Sequence, residues 1–559
     1  MKKIELLCPV GGKDTLSAAI LGGADAVYFG GKEFNARMNA KNFDRASIKE
    51  AIRRCHGSGV RTYLTLNTLF LDRKLPEGLD FVSFLYEAGC DALIVADLGF
   101  ARLCRKNFPD FPLHGSTQIS GHNAEAAKFL AEKGFSRMVC AREIDKENLK
   151  LLCKNSPIPI EAFVHGAICA SASGQCLMSS MIGDRSGNRG ECAQPCRLPY
   201  NGAYPLSFKD LSLARHAKEV FSSGVASLKI EGRMKSPEYV YSAAKVWRTL
   251  LDEGRDATEK ELSRLASVFS RSGFTSGYFE KKLTGDMLGR RTDSDKKKTE
   301  EIKTRFVPCK RDLLPIEIKR EKVELSPLVL PQKEKPQFHR SARFENASQI
   351  PEGDFFSEKY LPLDKFDGKK ANGVILPAVI FDEEAENVRK KLENAKKSGA
   401  EHAIVGNIGH IALLDGLGFQ LHGDFRLNVT NSFSLGLYPE FEDIIVSPEL
   451  TGPQIRDLRG KKTIIVYGRI PLMLLEKPLD VKTLRDRRGV IFPVLREGKR
   501  SIVINSVPIY MADRKKELKE KGILSQHFLF TTETKKQVEE VILCYQKGLP
   551  SKEAARRIR

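Results

Sequence analysis

Four cysteines within 28 residues, Cys169, Cys176, Cys192 and Cys196, are the residues whose type and spacing point most directly to chemistry. Their pattern is Cys-x6-Cys-x15-Cys-x3-Cys. In a reducing compartment thiols stay free, and clustered ones serve as ligands or catalysts more often than as disulfides. Four thiolates from one loop can hold a [4Fe–4S] cluster or a structural zinc ion. Zinc sites usually keep two to four residues between the members of each cysteine pair. The first gap here is six, which favours iron–sulfur. A nucleophilic reading stands beside it, because His165 precedes Cys169 by four residues and a reactive thiol needs a neighbouring base. Nothing nearby identifies a third, orienting group for that pair. The other eight cysteines fall in strand-like or helix-like patterns and read as buried small hydrophobes.

The elements that must position this loop follow a regular habit. Short β-branched runs at 4–10, 26–31, 61–67, 92–97, 112–118, 137–142, 160–166 and 227–232 alternate with amphipathic helical patterns, several of which end in glycine. Eight strand–helix units in the first 285 residues predict an α/β fold, a TIM-type (β/α)8 barrel, with an open doubly wound sheet as the alternative. The rhythm breaks once, at 167–226, where the cysteines lie between the seventh and eighth strands. Loops that follow strands form the active face of such a barrel.

Polar residues gather at the strand ends around this insertion. Glu33 and Arg37 follow the second strand, Arg142 and Glu143 the sixth, His165 ends the seventh, and Glu231 and Arg233 close the eighth. Of these, Glu33, Arg37, Arg142, His165, Glu231 and Arg233 are the candidate catalytic residues. Asn67, Asp97, His114 and Gln118, at the third, fourth and fifth strands, are the candidates for substrate binding. Such convergence suits a small polar or anionic substrate, and arginine suits carboxylate or phosphate because its planar fork binds two oxygens together.

Beyond 285 the text changes. Residues 286–370 are rich in charge runs and prolines, and read as a basic linker with a small β-rich module (LLPIEIK, KVELSPLVL). Strand–helix alternation resumes over 371–559 and echoes the first half. PLHGSTQISGHNA at 112–124 recurs as QLHGDFRLNVTNS at 420–432, ALIVADLG as AIVGNIGH, and FSRMVCAREI as FEDIIVSPEL. Three ordered matches predict a degenerate, partial repeat of the barrel that lacks the cysteines and shapes a binding surface.

At 559 residues, with 41% hydrophobic, the chain is long enough for two or three domains. Lys and Arg outnumber Asp and Glu by 91 to 71, a net charge of +20, which favours a polyanionic partner through phosphate neutralisation. Nucleic acid is the expected partner, with solubility alone as the alternative, and no phosphate-cradling glycine fingerprint or single-stranded-RNA module accompanies the charge. The longest apolar stretches are strand-sized, far short of the ~20 residues that span a bilayer, and the amino terminus has no apolar signal segment. A cytoplasmic protein without membrane contact is expected.

The run from Glu161, Phe163, Gly166, Ala167 and Cys169 through Gly174, Cys176 and Ser179, with Met178 at an aliphatic place, resembles the signature of the collagenase-like peptidase family U-32. NRGECAQPCR, SLKIEGRMKSPEYV, FSRSGFTSGYF and GADAVYFGGKEFNARMNAKNF are also similar to that family, so the resemblance covers about 1–285. The remainder is similar to the extension of its long, RNA-acting members. The resemblance implies an iron–sulfur-dependent hydroxylase acting on a pyrimidine 5-position, in tRNA uridine or 23S ribosomal RNA cytidine. It further implies prephenate as hydroxyl source, a [4Fe–4S] cluster on Cys169, Cys176, Cys192 and Cys196, and an unidentified electron donor. The family's label keeps a collagenase-like peptidase as the alternative.

Overall fold

A computed structural model describes residues 3–37, 41–303, 315–318, 320–332, 334 and 338–558. The strands β1 (Glu5–Pro9), β2 (Ala26–Phe29), β3 (Arg61–Leu66), β4 (Ala92–Val95), β5 (Leu113–Gly115), β6 (Arg137–Val139) and β7 (Ile160–Gly166) pair in parallel in chain order. After β8 (Asp210–Ser212), β9 (Ser227–Ile230) pairs with both β7 and β1 and closes an eight-stranded ring. The ring uses the eight segments read from the sequence. β8 lies antiparallel on β7 and carries β10 (Phe274–Thr275) outside it. Four crossover helices open with Asp44, Asp97, Asn123 or Asp145, whose side-chain oxygen accepts an otherwise unpaired N–H of the first turn.

Alternation along each strand sorts the side chains. Leu6, Cys8, Val27, Phe29, Leu64 and Leu66 pack outward against helices, while Leu7, Ala26, Tyr28, Tyr63, Ala92 and Ile94 fill the interior. Near the amino-terminal end that interior is ionic. Arg137 Nη1 joins Glu5 (2.5 Å) to Glu161 (3.0 Å), Lys229 Nζ donates to Glu161 (2.7 Å), and Tyr63 Oη donates to Glu5 (2.6 Å).

The second half is also a complete ring. β11 (His339–Arg343), β12 (Glu358–Pro362), β13 (Gly373–Ile375), β14 (His402–Val405), β15 (Gln420–Gly423), β16 (Phe441–Ile445) and β17 (Lys462–Gly468) pair in parallel in chain order. The crossover from β17 carries an antiparallel sheet of β18 (Pro471–Leu475), β19 (Thr483–Arg485), β20 (Ile491–Glu497) and β21 (Arg500–Ile504). β22 (Ile509–Tyr510) then lies antiparallel on β17, and β23 (Ser525–Leu529) pairs with β17 and β11 to close the ring. A partial barrel starting at 371 was expected; two further strands come from the stretch read as a linker. They were hidden because 3-10 turns at Ala347–Gln349 and Leu363–Lys365 replace the amphipathic helices that usually announce such units. The stretch KVELSPLVL, read as part of a β-rich module, forms no strand. It lies against the first barrel, where Ser326 N donates to Asn107 Oδ1 (2.8 Å) and, just before the stretch, Arg320 donates to Cys90 O (2.8 Å). The basic run 304–314 lies outside the described residues.

The two rings face each other by the carboxyl ends of their strands, through reciprocal contacts. Asn123, after β5, caps its own helix and donates to Ile380 O (3.0 Å) and Gly409 O (3.2 Å) of the second ring. Asn431, after β15, caps its own helix and donates to Phe70 O (3.2 Å) and Asp97 Oδ2 (2.7 Å) of the first. The same surface used twice in this way is the signature of an isologous contact, here within one chain. Among the described residues no helix is long and apolar enough to cross a membrane.

Candidate cysteine-lined active site

β7 ends at Gly166, in the left-handed region at φ 109°, where a Cβ would collide with Glu231 O; the chain turns there into the cysteine loop. Three anchors set the loop's path. Glu143 accepts from Ser173 N (2.9 Å) and Ser173 Oγ (2.9 Å), and its own position is fixed by His122 (2.7 Å). Arg197 donates to Ile168 O (3.0 Å) and Phe208 O (2.6 Å). The second ring braces the outer side, with Ala172 N on Leu474 O (2.7 Å), Leu177 N on Leu472 O (2.8 Å) and Asn428 on Gly174 O (3.2 Å).

All four cysteines are free; Cys169 and Cys192 are exposed, Cys176 and Cys196 half-buried. Their sulfurs are close enough to influence one another's ionisation, and burial pushes the Cys196 thiol up to about 12 and Cys176 well above the usual thiol range. Gln194 N (3.3 Å) and Ser179 Oγ (3.9 Å) donate to Cys192 Sγ, the hydrogen bonding a thiolate ligand uses. Among the described residues no three of these sulfurs lie within 4.8 Å of one another. A single tetrahedral zinc with bonds of about 2.3 Å would draw them to about 3.8 Å. The donor set is all sulfur and comes from one loop, the ligand chemistry of an iron–sulfur cluster.

The predicted mouth residues separate into two groups. Arg37 and Glu231 form an ion pair across the mouth at 3.3 Å, and Arg37 also feels the charge of Cys169 and Cys192. Burial alone would raise the Glu231 carboxyl, but Arg37, Arg142, Lys229 and Arg233 more than offset it and hold the group below the usual range. Arg142 lies over the Phe163 ring at 4.7 Å and donates to Ser173 Oγ (3.4 Å). Arg37, Arg142 and Glu231 therefore stand with the cysteines.

The others are placed elsewhere. Asp97 has both oxygens taken, by Phe100 N (2.9 Å) and Ser434 Oγ (2.9 Å) on one and Phe70 N (2.9 Å) and Asn431 (2.7 Å) on the other, and so joins the rings. Asn67 accepts from Ala36 N (3.0 Å), and buried Arg233 donates to Asn35 (3.1 Å), Thr65 (3.1 Å) and Asn42 (2.6 Å); both tie down the loop that presents Arg37. Gln118 lines the seam between the rings, and Glu33 faces an outer cavity with Phe34 and Phe81. His114 is inside the barrel, edge-on to Tyr63 at 4.8 Å, and burial pushes it down to about 3. His165 Nδ1 is 3.3 Å from Ser212 Oγ, the ring packs on Phe274 and Tyr239, and burial pushes the imidazole down to about 3. Among the described residues no histidine hydrogen-bonds any of the four thiols.

Sequence reasoning missed two basic residues here. Arg197 directly follows Cys196, an adjacency the sequence displays. Lys235 packs its amine on the Phe269 and Tyr239 rings, and burial lowers it to about 7 despite Asp210 and Glu231 nearby; only the turn after the eighth strand hinted at it.

The model of Peptidase family U32 matches residues 11–288. The chain is 39% identical over 261 residues to the 23S rRNA 5-hydroxycytidine C2501 synthase of Escherichia coli strain K12, covering 45% of this chain and 39% of that protein. It is 35% identical over 325 residues to tRNA hydroxylation protein P1 of Bacillus subtilis strain 168, covering 52% and 77%. It is 32% identical over 317 residues to a collagenase of Porphyromonas gingivalis, covering 51% and 76%. The match thus spans less than half of the ribosomal RNA synthase, and about three quarters of the other two. With the family's model running through the first ring and its cysteine loop, and relatives matched over most of their own length, the chain belongs to peptidase family U32.

Proposed function

We propose that the chain is an iron–sulfur-dependent RNA-modifying enzyme that hydroxylates a pyrimidine base at its 5-position, in tRNA or 23S ribosomal RNA, with prephenate as hydroxyl source. The observation that carries this reading is the convergence of four free cysteines with Arg37 and Arg142 at one barrel mouth. The names of the two RNA-hydroxylating relatives support it. Cys169, Cys176, Cys192 and Cys196 would hold a [4Fe–4S] cluster, which when bound supplies one-electron redox chemistry. Arg37 and Arg142 offer two guanidiniums to the carboxylates of the donor, and Glu231 orients Arg37. The net charge of +20 suits an RNA whose target base is turned out of its stack. A cysteine-peptidase reading needs a base on Cys169, and the hydrogen bond of His165 goes to Ser212 instead.

Purified without oxygen, the protein should be brown with about four irons per chain. Mass spectrometry of nucleosides from each RNA class, with and without the gene, should show a 5-hydroxypyrimidine that Cys169→Ser abolishes together with the iron. An iron-free protein with full RNA activity would overturn the proposal. So would hydrolysis of gelatin that survives Cys169→Ser in a strain with unchanged RNA nucleosides.

A further inference from the structure

The floor of the second ring holds a different chemistry. The glycines that end β7 and β17, Gly166 and Gly468, both have positive φ, and both strands shift register against their closing partner just before them. Counting strand pairing from these glycines puts His422 where the first ring has His114, Asp443 where it has Arg137, and Thr463 where it has Glu161. The same count puts Glu358 in place of Ala26 and His402 in place of Ala92, while Gly373 replaces the bulky Tyr63. The ion pairs that plug the first ring are therefore gone. Three side chains with metal-ligand chemistry stand in their layer, and the Tyr360 ring lies against Gly373 where the first ring carries Tyr63.

The geometry is that of a ligand set. His402 Nδ1 and His422 Nε2 are 3.1 Å apart, and Glu358 lies 3.9 Å from the first and 3.8 Å from the second. Two nitrogens on one tetrahedral ion with bonds of about 2.0 Å would stand about 3.3 Å apart. Two of the three side chains are oriented from behind. Asp443 Oδ1 accepts from His422 Nδ1 (2.6 Å), which turns the Nε2 lone pair toward the cluster, and Tyr360 Oη (2.5 Å) and His339 Nε2 (2.9 Å) hold Glu358. A carboxylate behind a ligating histidine is the usual outer partner of such sites. His422 and Glu358 line a cavity of about 740 Å³ that also carries Lys461, Lys519 and Lys521.

We propose that His402, His422 and Glu358 form a metal site on the floor of the second barrel, for a divalent first-row transition ion, with a further coordination position open to this cavity. Two histidines and one carboxylate with an open position serve zinc hydrolases and iron(II) centres alike. The site is separate from the cysteine loop, at the opposite end of the second ring's strands from the seam.

Anaerobically purified full-length protein with its iron counted would be titrated with Zn²⁺ and Co²⁺. About one equivalent should bind beyond the cysteine-bound metal, with cobalt d–d bands and no thiolate charge-transfer band. Asp443→Asn should weaken binding by about 10–100-fold, the usual cost of losing such an outer partner. His402→Ala with His422→Ala should abolish it, iron content unchanged. Wild-type protein that binds no extra ion carries a hydrogen-bonded histidine pair only, and overturns the proposal whether or not the variants fold. Thiolate bands, or undiminished binding in the double variant, would also overturn it.

Discussion

Glu161 shows how a residue of the signature can serve the fold instead of the mouth. It has no solvent exposure, and its two oxygens accept from Lys229 (2.7 Å) and Arg137 (3.0 Å) inside the first ring. Burial opposes its charge, yet Lys229, Arg137 and His114 more than offset that and hold the carboxyl at about 2. A folded pKa below the unfolded value of about 4.3 adds stability that is present above that unfolded value and lost as the pH falls toward 2. The linked contribution is about 3 kcal/mol. Glu161→Gln should cost about 3–5 kcal/mol near neutrality, because it leaves Lys229 and Arg137 without their partner. It should also flatten the loss of stability between about pH 4.5 and 2. Urea midpoints measured across that range would check both. An unaltered acid limb in the variant would overturn the assignment of that limb to Glu161.

At the scale of elements, the two seventh strands share a device. IEAFVHG and KTIIVYG each end on a glycine whose φ is above 100°, and a Cβ on Gly166 or Gly468 would meet the carbonyl oxygen of Glu231 or Leu529. Gly166→Ala should therefore cost the strain of its backbone, about 1–3 kcal/mol, plus that of displacing the strand that presents Glu231. Gly59→Ala, at φ 69° with nothing within 4 Å of the added carbon, is the control and should cost about 1 kcal/mol. Denaturation midpoints, with iron content as second readout, compare them; equal costs would remove the close approach as the cause. The strands of the first ring were legible because apolar runs alternate with capped helices. Those of HRSAR and EKYLP were not, since their inward residues are polar and short 3-10 turns follow or precede them. The four cysteines and Arg37 could be picked out by type and position. Asp97 and Arg233 were grouped with them because a cap or a buried tie and a substrate ligand use the same residue types at the same strand ends.

At the scale of the molecule, the second ring completes the setting of the cysteine loop. Leu472 and Leu474, from the sheet inserted after β17, accept the loop's backbone N–H groups, and Arg189 of the loop reaches Glu449 O (3.0 Å) after β16. The seam that holds the rings together leaves no space at two equivalent glycines. An added Cβ on Gly99 would collide with Ser434 N and lie 2.6 Å from Asn431 Oδ1, and one on Gly409 would collide with Asn123 Oδ1 and lie 3.0 Å from the Ala126 Cβ. Both glycines sit in the first turn after an Asp97 or Asn407 cap, so a valine there disturbs the seam before it disturbs either ring. Gly99→Val and Gly409→Val should therefore act alike, although they lie in different rings. Each should split one thermal transition into two, as cores that no longer stabilise each other unfold separately. Each should also lower the iron retained on anaerobic purification, because the loop loses the carbonyls of Leu472 and Leu474. Calorimetry with parallel iron counting tests this. One transition with full iron in both variants would show that the loop is held by its own ring, through Glu143 and Arg197, with the second ring free to serve its own site.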